Sequence, residues 1–129
     1  MSDKFTVEII TPDRSILKLE TNEVTIPSYE GQMGILKDHI PLITFLRPGL
    51  IVIKDQDEKK FYVEEGTVEF SNNNLLILTS IVQDVKSFKK ETINNLLEQA
   101  EKKLKDNQSS DKEKYVISYK IDTLKEINQ

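Results

Sequence analysis

The chain has 129 residues, a formal net charge of −4, 37% apolar and 31% charged side chains, and no cysteine. That length fits one modest domain, or a small domain with an appendage, around one core of ordinary size. The charge excludes a whole-molecule footprint for nucleic acid, and the missing cysteine excludes disulfides, thiolate catalysis and sulfur-ligated metal, as suits a reducing compartment. No basic patch with interleaved aromatics is present, so no nucleic acid partner is expected. The opening Met1 to Thr6 has no apolar signal segment, and the longest apolar runs, Leu50 to Ile53 and Leu75 to Leu78, are four residues each. A bilayer span needs about 20. A soluble protein is expected, one that docks on membrane proteins at most.

Residues 3 to 83 read as β. Phe5, Val7 and Ile9 alternate with Thr6, Glu8 and Ile10, the period of a half-buried strand. Thr11-Pro12-Asp13 turns the chain. Val24 and Ile26 alternate with polar neighbours, and Leu50 to Ile53 is a short β-branched run between Pro48-Gly49 and Asp55-Gln56-Asp57. Phe61 and Val63 form another alternation that Gly66 ends, and Val68 and Phe70 start the next. Asn72-Asn73-Asn74 is a turn, because Asn tolerates left-handed φ. A last apolar strand runs from Leu75 toward Val82. Short strands with turns about every 8–12 residues predict an all-β sandwich or flattened barrel over residues 1–84.

The pattern changes near Asp84. No proline or glycine follows Gly66. Ile93, Leu96, Leu97, Ala100 and Leu104 keep the spacing of an amphipathic helix, with Ser87 as its expected N-cap. Glu98/Lys102 and Glu101/Lys105 are favourable i,i+4 pairs. Lys89 and Lys90 sit at the end where the helix dipole disfavours cations. Ser110 and Glu113 form a capping box for a second helix. Its body reads two ways: Tyr115, Ile117, Tyr119 and Ile121 alternate like a strand, while Ile117, Ile121 and Leu124 keep helical spacing. The cap and the preceding helix favour an antiparallel α-helical hairpin over 85–129. Residues 1–83 carry 8 basic and 13 acidic side chains, and residues 84–129 carry 10 and 9. A mildly basic tail suits either an acidic partner or a solvated helix surface.

The stretch Pro27 to Gly49 gathers three of the four prolines, three of the four glycines and the only histidine. It predicts a tight, shaped loop between strands, with positive φ available at Gly31 and Gly34. Catalytic arrangements are few. A Ser-His-Asp triad has only His39, with Asp38 beside it in sequence, and a zinc site needs three or four ligands where one imidazole is on offer. Neither GxxxxGK[ST] nor GxGxxG is present. No catalytic residues and no metal site are expected. His39 reads either as a brace for its turn or as a contact on a recognition loop.

Pro27-x-x-x-Gly31-x-x-Gly34-Ile35-Leu36-x-x-His39-x-Pro41-Leu42, followed by Arg47-Pro48-Gly49, resembles the signature of the epsilon subunit family of bacterial-type ATP synthase (delta in mitochondria). Phe5 to Pro12 is similar to that family's first strand and turn, and Glu65-Gly66 to its glycine pair, with Glu65 in place of the first glycine. The resemblance implies a non-catalytic rotor subunit of the central stalk, on the cytoplasmic face of the bacterial plasma membrane, meeting the membrane only through the c ring. It implies a sandwich that grips the gamma subunit and sits on the c-subunit ring, and a mobile hairpin that reaches the alpha/beta catalytic head and impedes ATP hydrolysis. Carried over by position, Glu30, Gln32 and His39 would face the c ring. Lys112, Lys114, Lys120 and Lys125 would face acidic loops of the catalytic subunits. Many members bind ATP through Ile/Leu-Asp-x-x-Arg-Ala entering the first helix. Here Lys86, Lys89 and Lys90 replace the Asp, Arg and Ala, and no ATP or other cofactor is expected. A nucleotide-sensing module and a cupin-like β enzyme are the competing readings; ATP affinity would mark the first and several inward metal ligands the second.

Overall fold

The computed structural model describes residues 3–106 and 108–128. Ten strands come first: β1 (Phe5–Ile10), β2 (Ser15–Thr21), β3 (Glu23–Ser28), β4 (Gly31–Leu36), β5 (Leu42–Leu46), β6 (Gly49–Lys54), β7 (Glu58–Val63), β8 (Gly66–Ser71), β9 (Asn74–Thr79) and β10 (Val82–Asp84). A 3₁₀ turn at Val85–Ser87 leads to α1 (Lys90–Leu104) and α2 (Asp111–Ile127). The hydrogen-bonded order is β10-β7-β6-β3-β5-β8-β9-β1-β2, with β4 on the other edge of β3. Every pairing is antiparallel except β1 with β9. β3 and β5 share the single pair Ser28↔Leu46, so the sheet folds there into two layers. One layer is β4-β3-β6-β7-β10 and the other β5-β8-β9-β1-β2. The β sandwich and the helical hairpin expected from the sequence are both present.

Alternation builds the core. Val7 and Ile9, Val24 and Ile26, Ile51 and Ile53, Val68 and Phe70, and Leu75 and Ile77 point between the layers and are buried. β-branched side chains with fixed χ1 suit such pleated, close-packed faces. The helices then close over the outside of the first layer. Tyr62 and Leu50, cross-strand partners on its outer face, pack with Ile93, Leu96, Leu97 and Leu124. Ala100, Ile117, Ile121, Leu97 and Leu104 join α1 to α2. Helical spacing, not strand alternation, therefore decides α2.

Four expectations need correction. Pro27 to Gly49 is mostly strand rather than loop: it holds the end of β3, all of β4 and β5, and the start of β6. Pro27 is tolerated within β3 because β3 changes partner there, from β6 at Glu23–Thr25 to β5 at Ser28, and no ladder N–H is lost. Its carbonyl accepts Arg47 N–H at 3.0 Å. Gly31 does take positive φ, at 122°, whereas Gly34 lies in β4 without it. The last strand does not run on to Val82. β9 stops at Thr79, whose hydroxyl binds the Glu65 carbonyl at 2.8 Å, and β10 crosses to β7 in the other layer. Ser87 does not cap α1. Asp84 caps the 3₁₀ turn by accepting Lys86 N–H at 2.9 Å, and Ser87 Oγ is occupied by Gln83 Nε2 at 3.2 Å. α1 begins two residues later, behind Lys89, with no side-chain cap.

Candidate functional site

The seam between sandwich and hairpin holds the densest polar geometry. Tyr62 hydroxyl donates to Glu64 Oε2 at 3.0 Å, and Lys120 Nζ lies 3.2 Å from the same oxygen. Both partners of that ion pair are largely shielded, with side chains 22% and 19% exposed for Lys120 and Glu64, so water screens it less than a surface pair. Burial pushes the Tyr62 phenol far above its ordinary range, and the Glu64 carboxylate reinforces this. Beside it, Tyr29 and Tyr115 stack at 6.0 Å, and Tyr115 meets Tyr119 edge-on at 4.9 Å. The Arg47 guanidinium lies 3.8 Å over the Tyr119 ring. Tyr115 hydroxyl donates to the Tyr29 carbonyl at 3.3 Å, and Tyr29 hydroxyl to Glu65 Oε2 at 3.2 Å. Partial burial and then the Glu65 charge raise the Tyr29 phenol.

The second layer presents the opposite situation. The hairpin covers the outer face of β6 and β7, but nothing among the described residues covers the outer face of β5 and β9. Ile43 is 76% exposed, Phe45 58% and Leu78 42%, and Ile81 follows at the end of β9. The register places Phe45, Thr67, Leu78 and Ile10 in one row across the sheet, and Ile43, Glu69, Leu76 and Glu8 in the next. An apolar patch on a sheet face marks an interaction surface far better than single exposed residues do.

The predicted contact residues distribute unevenly. Glu30 sits in the exposed turn before β4, Gln32 within β4, and His39 beyond its far end. At about 3.3 Å per residue the two ends of β4 are roughly 20 Å apart, so the three follow one strand instead of sharing one patch. β4 pairs with β3 alone, leaving its other edge without a ladder partner among the described residues. Gln32 also lines a groove with Arg47, Lys60, Tyr119, Asp122 and Glu126. His39 is half-buried; its Nδ1 is 2.7 Å from the Ile40 carbonyl, and its ring meets Phe70 edge-on at 5.9 Å. Asp38, at φ 67°, exchanges hydrogen bonds with Asn73 beside it, at 2.7 and 3.0 Å. On α2, Lys120 is engaged with Glu64, and Lys112 lines a cleft of about 320 Å³ with Glu65, Lys103 and Glu113. Lys125 is exposed and Lys114 half-buried. Lys86, Lys89 and Lys90 stand exposed around the 3₁₀ turn and the start of α1.

Sequence reasoning missed Tyr29, Arg47, Glu64 and the outward Ile43, Phe45 and Leu78. A signal existed for the last three: both faces of these short runs are apolar, which a half-solvated strand does not require. The tyrosine cluster joins residues 86 positions apart and has no local signature.

Residues 4–84 match the family model for the ATP synthase delta/epsilon chain, beta-sandwich domain. The ATP synthase epsilon chain of Pelagibacter ubique is 47% identical over 130 residues, covering 99% of this chain and all of that one. The chain belongs to the ATP synthase delta/epsilon family. The epsilon chain of Dichelobacter nodosus is 34% identical, covering 81% of this chain and 75% of that protein. A chain in the cryo-EM structure of the Euglena gracilis mitochondrial ATP synthase, OSCP/F1/c-ring, has the same fold, with TM-score 0.80 at 18% identity over all of this chain and 84% of that chain. The central stalk and c-ring structure from Tetrahymena thermophila supplies another, with TM-score 0.68 at 17% identity and 96% of each chain covered. As a member of the delta/epsilon family the chain is an accessory subunit of the synthase and not an enzyme in its own right.

Proposed function

We propose that this subunit works in the central stalk, joining the gamma subunit to the c ring while its hairpin reaches toward the alpha/beta head. The observation that carries the reading is the uncovered apolar face of β5 and β9, opposite the face the hairpin covers. A face bearing Ile43, Phe45 and Leu78 favours a partner that removes it from water, at about 25 cal/mol per Å² of apolar area. Gamma is assigned to that face. The c ring is assigned to the β4 edge, where Glu30, Gln32 and His39 are spaced along the strand. In this position the subunit lies on the face of the membrane that carries the catalytic head, in bacteria the cytoplasmic one, and touches the bilayer only through the ring.

The hairpin is assigned the role of impeding ATP hydrolysis when it leaves the sandwich, with the α2 lysines meeting acidic loops of the catalytic subunits. No nucleotide is assigned to the chain: with Lys86, Lys89 and Lys90 at the entry to α1, the bidentate arginine grip on phosphate is missing.

Co-purification with gamma tests the central assignment. Phe45→Asp, in an otherwise folded chain, is expected to lower gamma capture roughly tenfold, and Lys90→Asp at the exposed start of α1, away from this face, to leave it unchanged. Full capture by the Phe45 variant would remove gamma from this face.

A further inference from the structure

We infer that Glu64 and Glu65 act as an internal competitor for the α2 lysines, holding in the docked hairpin the same cations that the hairpin would present to the catalytic head. The inference rests on the reading above that α2 meets the head.

The pair sits at the exit of β7, with Glu64 against the middle of α2 and Glu65 against its first turns. Glu64 takes Lys120 at 3.2 Å while also accepting Tyr62. Glu65 faces the cleft lined by Lys103 and Lys112, and it accepts the Tyr29 hydroxyl at 3.2 Å. The Tyr29–Tyr115 stack and the Arg47–Tyr119 contact bracket this acidic corner on the same helix. From the hairpin, the ion pair and the ring contacts, through Lys120, Tyr115 and Tyr119, all come from α2. α1 adds Lys103 on the cleft wall and the apolar contact of Ile93 with Tyr62. Docking and head contact are therefore mutually exclusive at Lys120: one ammonium cannot lie against Glu64 and a distant subunit together. A carboxylate pair on the sandwich sets how readily the lysine face becomes available, because a two-position element responds to the difference in its contacts in each position.

The full-length chain offers a direct measurement. It contains no cysteine, so Lys18→Cys on β2 and Gln99→Cys on α1, both exposed, accept a pair of spin labels. Pulsed electron resonance then counts docked and undocked molecules. Glu64→Gln keeps an acceptor for Tyr62 and removes only the charge. It is expected to raise the undocked fraction roughly threefold to tenfold, as is Lys120→Glu. The exchange of the two, Glu64→Lys with Lys120→Glu, is expected to return the fraction toward the parent value, which a mere packing role would not do. An undocked fraction unmoved by either single variant, or a swap without rescue, overturns the competitor. The reassembled synthase reads the underlying assignment separately: Glu64→Gln is expected to lower ATP hydrolysis. If undocking rises and hydrolysis stays level, the head contact falls, and the competitor role falls with it, leaving a simple latch.

Discussion

Gly49 and Tyr62 show how single side chains fix the sandwich. A Cβ on Gly49 would lie 2.5 Å from Pro27 Cβ, too close for either backbone to keep its place where β3 changes partner. Gly49→Ala is expected to cost about 1–3 kcal/mol, read as a lower urea midpoint at unchanged slope. Tyr62 is fully buried beneath α1 and α2 with its hydroxyl on a carboxylate, so folding favours the neutral phenol. Its folded pKa is raised above the ordinary 10.0, as is that of Tyr29 for the same two reasons. A raised pKa in an acid of this type adds stability that is complete below the ordinary value and is lost as pH climbs above it. Hairpin docking is expected to hold to about pH 10 and to weaken beyond it, read as undocking that accompanies the rise of phenolate absorbance. Tyr62→Phe should shift that alkaline limit upward.

At the scale of elements, the two helices differ at their starts. α2 has both halves of its capping box, Glu113 N–H to Ser110 Oγ at 3.1 Å and Ser110 N–H to Glu113 Oε1 at 3.4 Å. α1 opens behind Lys89 with extended backbone, no side-chain cap, and a lysine where the helix dipole is positive. Ser110→Ala is expected to destabilise the hairpin by about 1 kcal/mol and Lys89→Asp to stabilise it by a similar amount, both measurable as shifts in thermal midpoint. The capping box was legible because it is written in residues three apart. The apolar stripe of α1 was legible for the same reason. β4 and β5 were not: the glycines of β4 and the prolines flanking β5 read locally as a loop, and only the neighbours β3 and β8 make them strands. The Ser87 expectation failed because Gln83, from the preceding strand, had already taken its hydroxyl.

The whole molecule is a sandwich whose two outer faces are treated differently. One is closed by its own hairpin, and the other leaves Ile43, Phe45 and Leu78 exposed. Deleting residues 85–129 leaves every strand pairing intact while uncovering Tyr62 and Leu50. The truncated chain is expected to fold cooperatively, with a lower midpoint, by circular dichroism. In the assembled enzyme the deletion is expected to preserve ATP synthesis and raise hydrolysis. The family signature in the sequence foretold the sandwich–hairpin order, but not the acidic corner that binds the two parts. Glu64 and Lys120 look like ordinary surface charges until folding shields them.

The seam has a spectroscopic consequence. The chain has four tyrosines and no tryptophan, and all four, Tyr29, Tyr62, Tyr115 and Tyr119, lie where hairpin meets sandwich. Its ultraviolet emission therefore comes almost entirely from that boundary. The unlabelled subunit carries its own optical gauge of hairpin position, and any partner free of tryptophan and tyrosine can be titrated against it without a foreign dye.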